Sequence, residues 1–221
     1  MMCKKAKNLV KYILMYNEDW ERRLNLLFKD YNSTGLVYHI ANINDLKEIL
    51  EKGITYDHKS TYRDRYIEFH KFFDSLKPDY IPDWVIRQKA IFASMNFKKE
   101  HYFHSHSVIL GLKVDINKCW IANENLANSL YEPLVLKDIK DFKFAKQYIE
   151  NIGVKQGRRY WETSLSFVDN LSKRMDKRED YDEEVLIFHS IEPKDIIPLY
   201  IVSDHKMLTI DEWKSILKGD R

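Results

Sequence analysis

Glycine is scarce in this chain. Only six of the 221 residues are glycine, and neither G-x-G-x-x-G nor G-x-x-x-x-G-K-[ST] occurs. Loops that hold phosphates through these patterns need glycine for a tight turn and for a close approach of the backbone. The G-x-S-x-G turn of the α/β-hydrolases is missing as well. The sequence therefore excludes a Rossmann dinucleotide site, a P-loop and a hydrolase nucleophile elbow.

Cysteine is rarer still, and no long apolar run occurs. The two cysteines, Cys3 and Cys119, lie outside any C-x-x-C pattern, which is typical of free thiols in a reducing compartment. No apolar run reaches the roughly 20 residues that a membrane-spanning helix needs. The basic start of the chain is soon interrupted by charged residues, unlike a signal peptide. We therefore expect a cytoplasmic protein with no membrane partner.

The chain also lacks a strong excess of charge of one sign. Its 36 basic and 34 acidic residues give a net charge of +2. This balance does not indicate a nucleic-acid partner through bulk electrostatics, although it is compatible with a local basic groove. Charged residues make up 32% and hydrophobic residues 44% of the chain, as in ordinary globular proteins. The length suffices for one large domain with a real core.

One stretch, residues 36–54, shows the clearest local pattern. Leu36 to Ile40 is a short apolar run that favours a buried strand, and it contains His39. The following residues alternate as an amphipathic helix, with Asn44 or Asp45 as candidate caps. Gly53 is expected to end the helix. The sequence predicts a strand, a turn and a helix, with a histidine on the strand.

The rest of the chain predicts an α+β protein with a mixed or antiparallel sheet. We expect an N-terminal helical segment, residues 1–32, packed on a main domain, residues 33–221. The charged stretch 173–184 is expected to be a solvated loop, and 55–65 is also predicted as a loop. The remaining apolar patterns predict strands at 90–95, 107–114, 119–122, 185–191 and 196–202, and helices at 66–76, 134–149, 161–175 and 209–217.

Three histidines, His101, His104 and His106, form the nearest approach to a metal-binding pattern. They lack a nearby cysteine or pair of carboxylates to complete a zinc site. We interpret this stretch as a solvated loop and expect no metal.

Three other residues stand at strand ends: His39, Ser94 and Glu184. Each has an ordinary structural interpretation, as a core histidine bonded to a carbonyl group or an acidic turn that enters a strand. Together they also suit a cleft in which an imidazole, a hydroxyl and a carboxylate face one ligand.

The two ends of the main domain resemble ADP-ribosyltransferase-like domains, most closely the DarT toxins that modify DNA. Leu36-Val-Tyr-His-Ile-Ala-Asn-Ile-Asn-Asp-Leu resembles the family's opening Tyr-His-Ile-Thr-His pattern. Glu184-Val-Leu-Ile-Phe-His-Ser-Ile-Glu-Pro resembles its Ala-Glu-Phe-Leu-Val segment. The similarity runs over roughly residues 36 to 202, and its two ends carry the specific motifs.

This resemblance implies a split mixed or antiparallel sheet and a glycosyltransferase that moves ADP-ribose from NAD to a macromolecule, either a nucleic acid or a protein. It also implies a toxin or defence enzyme, with an antitoxin as a candidate partner. Cleavage of the nicotinamide–ribose bond builds positive charge on the ribose, which a fixed carboxylate stabilises. The implied catalytic residues are Glu184 and Arg63, and the implied NAD contacts are His39, Asn42, Tyr62 and Ser94.

Two alternatives remain open. Ala41 and Asn42 replace the Thr and His of the DarT pattern, which favours a non-catalytic nucleotide-binding or regulatory module of the same fold. An RNA 2′-phosphotransferase-like enzyme would need a basic cluster at the cleft, for which Lys155, Arg158 and Arg159 are candidates.

Overall fold

A computed structural model describes residues 29–55, 60–97, 101–204 and 206–219. Residues 60–65 are described by their backbone alone. Most of the predicted N-terminal helical segment, residues 1–28, lies outside the described residues. Its last part is described, and there Asp30 caps a short helix that ends at Gly35.

Within the described ranges, eight strands form two antiparallel four-stranded sheets, which confirms the predicted α+β class. Sheet I has the strand order β1-β3-β7-β8, and sheet II has the order β2-β6-β4-β5. The strands are β1 (Val37–Asn42), β2 (Ile91–Ala93), β3 (Ser107–Leu112), β4 (Cys119–Asn123), β5 (Leu165–Ser166), β6 (Glu183–Ile187), β7 (Ile196–Ser203) and β8 (Lys206–Thr209).

The α-helices flank these sheets. Gly53 ends the second helix at a φ of 83°, a backbone conformation that favours glycine. A π-helical turn over Ile149–Gly153 joins α6 to α7. The helices are α1 (Tyr31–Thr34), α2 (Leu46–Lys52), α3 (Ser60–Asp74), α4 (Glu124–Asn128), α5 (Tyr131–Leu136), α6 (Phe144–Tyr148), α7 (Val154–Glu162), α8 (Phe167–Lys173) and α9 (Ile210–Lys218).

The two sheets meet where their edge strands β1 and β2 approach each other. Tyr38 and Ser94 form an isolated antiparallel bridge there. The Tyr38 N–H donates to the Ser94 carbonyl oxygen at 2.7 Å, and the Ser94 N–H donates to the Tyr38 carbonyl oxygen at 2.8 Å. We call this place the sheet junction. It brings the ends of two strands, far apart in sequence, to one point.

Two main hydrophobic clusters pack on opposite faces of sheet II. One contains Val185 and Ile187 and continues to β1 and β3 of sheet I. The other contains Leu186 and packs beneath α3 and α7, with Phe73 and Trp161 among its members. Because side chains alternate along a strand, successive residues of β6 enter different clusters.

Several predictions from the sequence were wrong in extent. Helix α3 begins at Ser60, so the predicted loop 55–65 is helical in its second half. The predicted helix 161–175 is interrupted by β5, and the predicted helix 134–149 is split between α5 and α6. Strand β8 was not predicted.

The largest error concerns the charged stretch 173–184, which is not a solvated loop throughout. Asp176 is buried, and it accepts hydrogen bonds from Arg174 and from the Asn170 amide. Glu183 and Glu184 begin β6 and are both 4% exposed. Paired or hydrogen-bonded charges can be buried, and the pairing is not visible in the sequence.

Candidate functional site

Glu184 lies on β6, the strand between β2 and β4. It stands opposite Ala122 of β4 in the antiparallel register. On the other side Val185 pairs with Ala93 of β2, so the register places Ser94 beside Glu184. The side chain faces the cluster beneath α3 and α7, the same face as Leu186. A carboxylate is thus built into the interior next to the sheet junction.

Arg87 neutralises this carboxylate. Its Nη2 atom donates to both Glu184 oxygens, at 2.9 and 2.8 Å. The Tyr160 hydroxyl donates to Glu184 Oε1 at 2.7 Å and accepts from Arg87 Nε at 3.0 Å. Arg87 is 3% exposed, so the ion pair is screened from water. We call Arg87, Tyr160, Glu184 and His70 the buried polar cluster.

Aromatic rings surround the guanidinium group. Its carbon lies 4.8 Å from the ring centre of Phe92 and 5.2 Å from that of Phe69. Phe73 and Tyr160 lie at 5.5 and 5.4 Å. Ring faces attract cations, more strongly where water is excluded. The buried positive charge is therefore held by a carboxylate and by four ring systems together.

His70, on α3, contacts the same guanidinium group. Its Nδ1 atom is 2.5 Å from Arg87 Nη1. Because an arginine side chain can only donate, Nδ1 accepts and the proton of the neutral imidazole lies on Nε2. The ring also stacks on Phe92, with centroids 5.4 Å apart and planes 19° apart. Through His70, helix α3 is tied directly to the buried ion pair.

The pKa values of the cluster follow from this geometry. Burial alone would lower the pKa of Arg87, but the charge of Glu184 and the hydrogen bonds to Glu184 and Tyr160 raise it above its ordinary value. Burial raises the pKa of Tyr160 well above its usual range. Arg87 therefore stays charged and Tyr160 stays protonated at neutral pH.

His39 lies next to this cluster, on β1. Its Nδ1 atom is 2.6 Å from the carbonyl oxygen of Phe92, the residue whose ring Arg87 covers. Because a carbonyl oxygen only accepts, Nδ1 carries a proton. The half-buried ring is thus oriented by the backbone of β2. His39 thus lies in the middle of β1, Ser94 directly after β2 and Glu184 near the start of β6, and these three backbone segments are neighbours at the sheet junction.

The other predicted contacts differ in position. Asn42 is exposed, and its side chain accepts from the Asn44 N–H at 2.9 Å, so it caps a helical turn. Asp45 makes no side-chain cap bond. Tyr62 and Arg63 lie in the first turns of α3 rather than in a loop. Their side chains lie outside the part that the structure describes.

Two more carboxyl groups approach the same end of sheet II. Glu183 points to the opposite face from Glu184, and its Oε1 accepts from the N–H groups of Met95 and Asn96 at 3.2 and 3.1 Å. Burial raises the pKa of Glu183 to about 8. Burial and the nearby charge of Glu184 raise the pKa of Glu124, the first residue of α4, to about 7.

The structure describes the histidine stretch as an exposed loop with some aromatic packing. The His101 ring lies 4.6 Å from the rings of both Phe97 and Phe103. Within the described ranges, no group of three or more histidine, cysteine or acidic side chains is arranged to hold a metal ion.

A cavity of about 410 Å³ lies elsewhere, beside the turns that follow β3 and β6. His189 and Asp115 are among its lining residues, and none of the predicted site residues lines it.

Arg87, Tyr160 and His70 were missed in the sequence. A single arginine carries no local signal of burial, and Arg87 is 97 residues from its partner. Tyr160 follows the basic pair Arg158 and Arg159, which are exposed on α7. Helical spacing on α7 could have indicated an inward Tyr160, but not its partner.

Comparisons with protein-family models, with curated proteins and with solved structures give no significant match. Among the described residues, no helix has the length and apolar character needed to cross a membrane.

Proposed function

We propose that this protein is an ADP-ribosyltransferase that transfers ADP-ribose from NAD to a nucleic acid or a protein. The observation that supports the proposal is that the backbone segments that carry His39, Ser94 and Glu184, from distant parts of the chain, are neighbours at the sheet junction. A flat, extended ligand that lay along this junction would have its ribose near the Glu184 carboxylate.

In the proposed reaction, the bond between ribose C1 and the nicotinamide nitrogen breaks. Nicotinamide leaves with the bonding electron pair, and positive charge develops on the ribose. The Glu184 carboxylate stabilises that charge, and an acceptor oxygen or nitrogen then forms the new bond to C1 and loses its proton. Arg87 supports this role because its guanidinium group holds both oxygens of the carboxylate in place through hydrogen bonds.

The buried polar cluster sets a condition on this proposal. Glu184 is 4% exposed, and Phe69, His70 and Phe73 of α3 cover its partner Arg87. NAD can reach the carboxylate only if α3 separates from β2. The proposal therefore includes a rearrangement of α3 on binding of the dinucleotide.

The test uses purified protein, NAD labelled in its adenine ring, and DNA, RNA and cell lysate as acceptors. Nicotinamide release and label transfer are measured for the wild type, Glu184→Gln and the matched control Glu183→Gln. Glu183 has the same burial on the same strand but faces the opposite way. We expect Glu184→Gln to lose at least about 100-fold in rate, with Glu183→Gln near wild type. If the wild type neither releases nicotinamide nor transfers label, the proposal is wrong.

One observation favours a second function, a non-catalytic nucleotide-binding or regulatory module of the same fold. Arg87 and Tyr160 already occupy the oxygens of Glu184, as expected for a structural ion pair. This alternative predicts that NAD or another nucleotide binds in calorimetry without being consumed, and that Glu184→Gln alters stability rather than turnover.

A further inference from the structure

In the described part of the chain, several exposed apolar side chains lie between α5 and the π-helical turn that follows α6. Five large hydrophobic residues there have exposed fractions between 42% and 68%. They fall within 18 residues of sequence. We call them the α5–α6 surface: Val135, Ile139, Phe142, Phe144 and Ile152.

The inner side of the same segment is well anchored. Tyr131, Leu134 and Tyr148 pack against the hydrophobic cluster beneath α3 and α7, to which the buried Ile149 also belongs. Helix α5 also packs against α6. The exposed residues are therefore the outward side of an ordered segment. Several exposed apolar side chains on one ordered segment are typical of an interaction site.

Lysines alternate with these apolar residues. Lys137, Lys140, Lys143 and Lys146 recur at every third position, and the last three are exposed. Residues 135–159 contain seven basic and three acidic residues, a net charge of +4. Since the whole chain has a net charge of +2, the remainder carries −2. The positive charge of the protein therefore lies in this segment and in residues 1–28, and the residues outside both carry a net charge of −5.

This charge limits what can cover the surface. A second copy of the same surface would bring two segments of +4 together, and residues 1–28 contain six basic and three acidic residues, a net charge of +3. Like charges disfavour both contacts. An anionic occupant with an apolar component fits the charge and the exposed side chains together.

The composition favours a lipid surface over a single-stranded nucleic acid. Val135, Ile139 and Ile152 are aliphatic and offer no ring for a base to stack on. One face of the Phe144 ring already lies 5.5 Å from the Lys143 ammonium group. Interfacial segments, by contrast, insert aliphatic and aromatic side chains while lysines stay at the headgroups. Outward side chains with high exposure also suit insertion better than the lining of a groove.

We infer that the α5–α6 surface binds the face of an anionic membrane, with its apolar side chains inserted and its lysines at the lipid phosphates. This is peripheral binding, which requires no spanning helix. The inference goes beyond the proposed transfer reaction and does not depend on it.

The test is co-sedimentation of the full chain with two kinds of vesicle, phosphatidylcholine alone and phosphatidylcholine mixed with phosphatidylserine. We expect binding to the anionic vesicles only, weakened by salt. Phe142→Ser/Phe144→Ser and Lys140→Glu/Lys143→Glu should each reduce binding at least about tenfold. The matched control is Tyr80→Ser/Leu217→Ser, which removes two residues elsewhere that are even more exposed, at 70% and 80%, and should bind as wild type.

Circular dichroism of each variant separates lost binding from lost folding. Equal binding of the Phe142/Phe144 variant and the wild type would overturn the inference, as would no binding of the wild type. A single-stranded oligonucleotide could displace the protein from vesicles. If the binding of that oligonucleotide is itself lost in the Phe142/Phe144 variant, the surface belongs to nucleic acid instead. Concentration-dependent dimerisation lost in the same variant would assign it to self-association.

Discussion

Glu183 and Glu184 are neighbours on one strand with the same 4% exposure, yet the groups that surround their side chains differ. Glu184 faces Arg87 and Tyr160 and belongs to an ion pair. Glu183 faces the other way and accepts hydrogen bonds from the backbone N–H groups of Met95 and Asn96. Burial raises the pKa of Glu183 to about 8. A buried carboxyl group is thus either paired with a cation or pushed towards its neutral form.

We expect the largest effect on the stability of this site when the cation is removed. Arg87→Met leaves Glu184 buried without a counter-charge, and we expect a loss of about 3–5 kcal/mol in the free energy of unfolding. Urea denaturation at neutral pH, followed by circular dichroism, measures it. The double variant Arg87→Met/Glu184→Leu should recover most of the loss because neither charge is then buried. A single variant as stable as the wild type would show that the ion pair does not offset the cost of burying the Glu184 carboxylate.

The pH dependence of stability tests Glu183. In the unfolded chain this carboxyl group ionises near its ordinary pKa of 4.5, whereas the folded protein keeps the proton up to about pH 8. The folded state binds the extra proton in that window, so stability falls as pH rises, by at most about 1.4 kcal/mol per pH unit. Glu183→Gln should remove this slope between pH 5 and 8. If the stability of the variant and of the wild type changed with pH in parallel, the Glu183 carboxyl group would not be protonated in the folded protein.

Glu124 provides a smaller effect of the same sign. Burial and the charge of Glu184 raise the pKa of Glu124 to about 7. The pH range over which Glu124 lowers stability therefore ends at a lower pH than that of Glu183. Glu124→Gln should remove a shallower slope between pH 5 and 7. The difference should shrink in a Glu184→Gln background, because one cause of the raised pKa is then absent. An unchanged difference in that background would show that the two carboxyl groups are not coupled.

Tyr160→Phe is the mildest of these changes. It removes the hydroxyl that links Arg87 to Glu184 and keeps the ring in place. We expect a loss of about 1.5–3 kcal/mol in the free energy of unfolding, the usual range for a hydrogen bond to a charged group. The slope of stability against pH should not change between pH 5 and 8. A new slope in that range would contradict the expectation that the hydroxyl contributes only these hydrogen bonds.

Much of the fold could be predicted because it depends on local periodicity. The apolar run at Leu36 to Ile40 became β1, and the amphipathic pattern that ends at Gly53 became α2. The closing helix was also predicted, and Thr209 and Glu212 start it with a reciprocal capping box. Strand β8 was missed because its four residues, Lys206–Thr209, are too few and too polar to show an alternating pattern.

The candidate site was predicted in part. The sequence predicts strand ends at His39, Ser94 and Glu184. Ser94 does follow β2 and Glu184 lies near the start of β6, but His39 lies in the middle of β1, and the three segments are neighbours at the sheet junction. Arg87 was missed because a single arginine carries no local signal of burial, and no local pattern links it to His70, 17 residues away. Asn42 was chosen as a ligand contact, but its side chain is used within its own turn, a role that asparagine commonly takes before a helix.

By itself, the sequence determined which segments become strands and helices, since side-chain periodicity and turn residues act over a few positions. Only the tertiary structure decided that Glu184 joins an enclosed ion pair and that Glu183 is bonded to backbone N–H groups, although the two are adjacent. The physical reason is that the state of a buried charge depends on what lies within a few ångströms of it. For Glu184 that partner comes from 97 residues away, and folding alone brings it there.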